Sequence, residues 1–118
     1  MDTLSKKIPV FHDILKILGY SVEGQYKRVN DFMFICQMST VEKMLQICKD
    51  KGMNLDVSGL KDQGELDNVV EQIIEVVGEE EFEKVADETV VALFDDFVAT
   101  VYSECDESQR ERIERLVS

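Results

Sequence analysis

Along most of the chain, apolar residues return at three- and four-residue steps, the period of a helix that buries one face. Val10, Phe11, Ile14, Leu15 and Leu18 keep that period. Pro9 stands early in the segment, where its missing N–H does little harm, and Gly19 is placed to end it. Leu66, Val69, Val70, Ile73, Ile74 and Val77 repeat the pattern up to Gly78. From Glu79 to about Glu104, Phe82, Val85, Val90, Leu93, Phe94, Phe97, Val101 and Tyr102 predict a long helix with a broad apolar face. Asp106 holds an N-cap position with Gln109 three residues on, ahead of a last helix that carries Ile113, Leu116 and Val117.

Residues 20–37 read two ways. Phe32 to Cys36 suits a buried strand, paired with Tyr20 to Val29 in a small β-hairpin around Gly24. Phe34, Met38, Val41, Leu45 and Cys48, however, step along a single helical stripe. They predict a helix from about Asp31 to Lys51, capped by Asn30 or Asp31 and closed by Gly52. Ser39-Thr40-Val41-Glu42 also resembles a capping box, which would start a shorter helix there. The longer helix is the favoured reading. Five helices with short connections then make an all-α bundle, a single domain over residues 1–118, with a hairpin at 20–37 as the open alternative.

Composition supports a folded, compact chain. Apolar residues make up 44% of the 118, enough for a core. No apolar run approaches the roughly 20 residues that span a membrane. Lys6 and Lys7 precede an apolar stretch in the manner of a signal peptide, but His12, Asp13 and Lys16 interrupt it and no small-residue cleavage site follows. A cytoplasmic protein is expected. Cys36, Cys48 and Cys105 are odd in number and widely spaced, unlike a disulfide framework, and point to buried, inert thiols.

Asn54 to Glu65, NLDVSGLKDQGE, has the outline of a calcium loop. Asn54, Asp56, Ser58, Asp62 and Glu65 stand at the first, third, fifth, ninth and twelfth positions, with Gly59 at the sixth. Lys61 occupies the eighth position, where such loops resemble one another in having an apolar anchor. The first ligand is a neutral amide, and no second loop accompanies it. The segment is expected to be a polar connection with Leu55, Val57 and Leu60 turned to the core, and not a metal site. No phosphate-binding glycine loop, HExxH or Gly-x-Ser-x-Gly is present, and His12-Asp13 are neighbours that do not face each other on a helix. Neither an enzymatic activity nor a cofactor is expected.

Charge is the feature that calls for a function. Residues 1–53 carry eight Lys and Arg against six Asp and Glu, whereas residues 54–118 carry five against nineteen. Between Asp62 and Glu107, sixteen carboxylates meet one cation, Lys84. Asp67, Glu71 and Glu75 fall four apart, on one ridge with about 6 Å between successive charges. Glu79, Glu80, Glu81 and Glu83 crowd the next helix start, where the helix dipole favours them. Asp87, Glu88, Asp95 and Asp96 continue along the polar side of the long helix.

A row of carboxylates is similar in charge to a nucleic-acid backbone. The candidate binding residues are therefore Asp67, Glu71, Glu75, Glu79, Glu80, Glu83, Asp87, Glu88, Asp95 and Asp96, and the expected partner is a basic protein surface, such as that of a nucleic-acid-binding protein. Direct binding to nucleic acid or to a membrane is not expected. In composition the acidic half resembles small acidic inhibitors that mimic DNA, including those made by phages, although no motif carries the resemblance. Two other readings stand beside it. The acidity could serve only solubility, or the chain could be a structural or adaptor subunit that forms a homodimer through Val91, Val98 and Tyr102, which lie outside a narrow core stripe.

Overall fold

The computed structural model describes residues 3–55, 57, 59, 60 and 62–117. Among them the fold is all-α: α1 Thr3–Ile17, α2 Val22–Asp50, α3 Gln63–Val77, α4 Glu79–Glu104 and α5 Glu107–Val117. The chain forms two compact units. The first comprises Met1–Met33 and Val90–Ser118, and the second Phe34–Thr89. Both divisions fall inside long helices, so α2 and α4 each give a segment to each unit.

No hairpin forms at residues 20–37, and α2 begins well before Asp31. The cause is local to the α1–α2 corner. Ser21 acts as the cap: its Oγ accepts the Gly24 N–H (3.1 Å) and its carbonyl accepts the Gln25 N–H (2.8 Å). A Cβ at Gly24 would lie 3.2 Å from that hydroxyl, so this glycine makes room for a cap instead of turning a hairpin. Gln25 is buried and donates from Nε2 to the Tyr20 carbonyl (2.9 Å). From there Val29, Phe32, Cys36 and Thr40 carry a buried stripe along α2 at steps of three and four. Helix α1 likewise starts earlier than Pro9 suggests, placing the proline in its interior, and Gly19 follows its end at φ 90°.

In the first unit, Phe11 of α1 stacks on Phe32 of α2 with ring centroids 4.6 Å apart, and on Phe97 of α4 at 4.2 Å. Ile14, Leu15, Phe94 and Ile113 are buried in the same unit, each contributing about 1.5–3 kcal/mol by leaving water. Helix α5 packs on α1 and opens with the expected capping box. The Asp106 carboxylate accepts the Gln109 N–H (2.8 Å), and Gln109 Oε1 accepts the Asp106 N–H (3.1 Å).

The second unit is built on Val41, Met44 and Cys48 of α2 against Leu66, Val69 and Ile73 of α3, with Phe82 and Val85 of α4 partly buried against them. Leu55, Val57 and Leu60 pack on this core, as their place in the connection predicts. Within the stripe, Met44 takes the buried position and the expected Leu45 is half-buried. All three cysteines are free and buried. Burial pushes the Cys36 thiol up to about 11 and raises that of Cys48 as well, the latter opposed by nearby Lys51.

Candidate functional site

Helix α3 is held at its start by Asp62, whose carboxylate accepts the Glu65 N–H (2.8 Å). With Leu66, Val69 and Ile73 buried, the period of the helix turns Asp67, Glu71 and Glu75 outward, and all three are exposed. Asp67 accepts from Gln63 Nε2 (2.8 Å), which also donates to Gln37 Oε1 on α2 (2.7 Å). The first member of the ridge is thereby tied to a neighbouring helix.

Gly78 joins α3 to α4 in one residue. Its N–H donates to the Ile74 carbonyl (2.8 Å), and its own carbonyl accepts the Phe82 N–H (3.2 Å). Its φ of 92° lies in the left-handed region, which a residue with a Cβ enters only with strain. Gly78, the residue ahead of α4, has no side chain with which to cap it. Instead Glu79, Glu80 and Glu81 fill the first turn, where their charges oppose the positive end of the helix dipole. Glu79, Glu80 and Glu81 line a shallow depression with Val77, Gly78 and Lys84, so the stretch's one cation sits among its densest acids. Glu83 and Glu88 are exposed and Asp87 is half-buried.

The structure gathers Asp67, Glu71, Glu75, Glu79, Glu80, Glu83, Asp87 and Glu88 into the second unit. Asp95 and Asp96, also exposed, belong to the segment of α4 in the first. Sequence spacing misses one participant, Lys43 of α2. Its ammonium donates to the hydroxyl of buried Thr89 (3.1 Å), bringing a second cation to α4 beside Asp87 and Glu88 in the sequence. The two residues lie 46 positions apart, and no local pattern signals the contact.

Other candidates are placed as follows. Asp56, Ser58 and Lys61 of the calcium-like loop lie outside the described residues, while Asp62 is engaged as the α3 cap. Among the described residues, no group of three or more His, Cys, Asp or Glu side chains is arranged to hold a metal ion. His12 packs edge-on against Tyr26, ring centroids 5.0 Å apart. Of the α4 residues outside the narrow stripe, Val91 is exposed, whereas Val98 and Tyr102 are half-buried. The Tyr102 hydroxyl donates to Glu114, and that bond, together with partial burial and the Glu114 charge, raises the phenol above its ordinary range against the opposing pull of Arg110. No described helix is long and apolar enough to cross a membrane. No family model, no curated protein and no solved structure matches the chain.

Proposed function

We propose that the protein acts by binding another protein, docking the acidic surface of α3 and the start of α4 on a basic groove that otherwise holds nucleic acid. The observation that carries this reading is the exposed ridge of Asp67, Glu71 and Glu75, continued through the one-residue corner at Gly78 into Glu79, Glu80 and Glu83. Along the ridge a carboxylate recurs about every 6 Å of helix axis. One strand of DNA advances about 3.4 Å per phosphate, so the ridge offers roughly one charge for every two phosphates. The cluster at the start of α4 is denser. A rigid helix holds this spacing without the ordering cost of a flexible tail.

The test is capture of the partner from the native host, followed by the triple reversal Asp67→Lys, Glu71→Lys and Glu75→Lys. Binding by the original chain is expected to weaken steeply with salt, chiefly in the association rate, because exposed charges are screened within about 8–10 Å. Excess nucleic acid should displace the protein, and the reversed chain should not bind. If it binds as well as the original, the ridge is a solubility device.

A second reading, self-association through α4, draws on the exposure of Val91. It gains less from Tyr102, whose hydroxyl is already engaged by Glu114.

A further inference from the structure

In the first unit a groove of about 380 Å³ opens between α1, α4 and α5. Its floor is apolar, made by Val10, Val91, Phe94, Leu116 and Val117. Val91 and Val117 keep 40% and 45% of their surface exposed, although Phe94 between them in the lining is 2% exposed. Aliphatic side chains are thus left facing water next to a covered aromatic ring. The charged members of the lining are Lys6 and Lys7, and among the described residues no carboxylate lines the groove. In a chain with 25 acids and 13 bases, this is a local inversion of charge. The Lys7 ammonium lies 4.8 Å from the centroid of the Phe94 ring, a cation–π contact that holds a positive charge beside the apolar floor.

We propose that this groove binds a single-chain amphiphilic anion, a medium-chain fatty acid, with the alkyl chain on the valine floor and the carboxylate on Lys6 and Lys7. Size selects the class of occupant. A stable protein interface takes about 800 Å² and 20–30 residues from each partner. The groove is small by that measure, and its volume falls at the lower end of the roughly 300–1,000 Å³ of small-ligand sites. Charge selects the head group. An ammonium has three donors, so Lys6 and Lys7 can each donate to a carboxylate while Lys7 keeps its contact with the ring. The inference is independent of the acidic face, since none of its ten candidate residues lines the groove.

The experiment is calorimetric titration of the 118-residue chain with laurate below its critical micelle concentration. Saturable binding of about one laurate per chain is expected. The double variant Lys6→Gln, Lys7→Gln should weaken it by about tenfold or more, the loss that follows from one charge-assisted hydrogen bond. Val91→Asp should weaken it at least as much, and Lys27→Gln on α2 should leave it unchanged. Thermal unfolding of each variant checks that the fold survives, which the exposure of Lys6 and Val91 favours. Dodecanol should bind at least tenfold more weakly than laurate, and dodecyltrimethylammonium should not bind saturably.

Equal binding of the cationic amphiphile, unchanged affinity in the lysine double variant, or no saturation with laurate would each overturn the proposal. So would a dimer, seen by light scattering without laurate, that Val91→Asp converts to a folded monomer, because the groove would then hold a second copy of the chain.

Discussion

Helices α3 and α5 each turn an apolar side inward, with Leu66, Val69 and Ile73 buried in the first and Ile113 in the second, yet their polar sides are built differently. On α5, Arg110, Arg112 and Arg115 alternate with Glu107, Glu111 and Glu114. Several of these groups serve the fold. Arg110 Nε donates to the Tyr102 carbonyl (2.9 Å) with its guanidinium 5.1 Å from the Tyr102 ring centroid, and Glu114 accepts the Tyr102 hydroxyl. On α3, Glu65, Asp67, Glu71 and Glu75 stand with no Lys or Arg in the helix. Like charges four apart oppose a helix by about 0.2–0.5 kcal/mol per pair. On α5 the one such pair, Glu107 and Glu111, is offset by opposite charges at three- and four-residue spacing, Glu107 with Arg110 and Glu111 with Arg115, an offset that α3 lacks. The unmixed charge of α3 is therefore a property of its surface that folding does not require.

The comparison can be broken first at the core. Ile73 and Ile113 are both 0% exposed, so Ile73→Ala and Ile113→Ala should each cost about 2–5 kcal/mol, read from the denaturation midpoint at unchanged slope. A cost below about 1 kcal/mol for Ile113→Ala would make α5 a superficial helix, and the contrast between polar faces would lose its footing.

Alkaline pH acts on two groups outside α3, the buried Cys36 thiol of α2 and the Tyr102 phenol that α5 engages through Glu114. The Cys36 thiol rises from 9.0 to about 11 on folding, so its neutral form is favoured in the native state. The unfolded chain then holds fewer protons, and stability falls as pH rises. This contribution is complete below about pH 9 and gone above about 11, a loss of roughly 2–3 kcal/mol at about 1.4 kcal/mol per pH unit. Tyr102 acts with the same sign, since Glu114 raises its phenol above 10.0: its contribution is present below pH 10 and lost above it. Cys36→Ala should flatten the decline between pH 9 and 11, and Tyr102→Phe should remove the further decline above pH 10. A wild-type stability that stays level from pH 8 to 11 would contradict both assignments.

The smallest effects are the most specific to the polar faces, and they should have opposite signs. Arg110→Glu places a like charge within one turn of Glu107 and Glu114 and releases the Tyr102 carbonyl, so it should destabilise by about 1 kcal/mol. Glu71→Lys replaces two repulsions, with Asp67 and Glu75, by two attractions and should stabilise by about 0.8–2 kcal/mol. Loss of stability in Glu71→Lys, measured by thermal or denaturant unfolding, would mean that the ridge has a structural role after all.

Features that depend on one or two turns of chain were legible in the sequence. The 3.6-residue period and the stops at Gly19 and Gly78 place three helix ends or starts, and the Asp106–Gln109 box places a fourth, because each involves atoms within a few residues of one another. The same period turns Asp67, Glu71 and Glu75 outward once Leu66, Val69 and Ile73 are buried. The start of α2 was harder to read. Gly24 has the composition of a turn, and its role beneath the Ser21 hydroxyl depends on the corner that Gln25 and Tyr20 close.

Contacts between distant segments lay beyond the sequence. Periodicity makes Val91 and Phe94 equally apolar, but only the packing of α1 and α5 on α4 covers the ring and leaves the valine exposed. Lys43 reaches Thr89 across 46 positions, and the acidic residues of α4 divide between two units at Val90. A helical pattern determines which way a side chain faces around its own axis. What stands opposite it depends on how the helices pack, and that was decided by the tertiary structure alone.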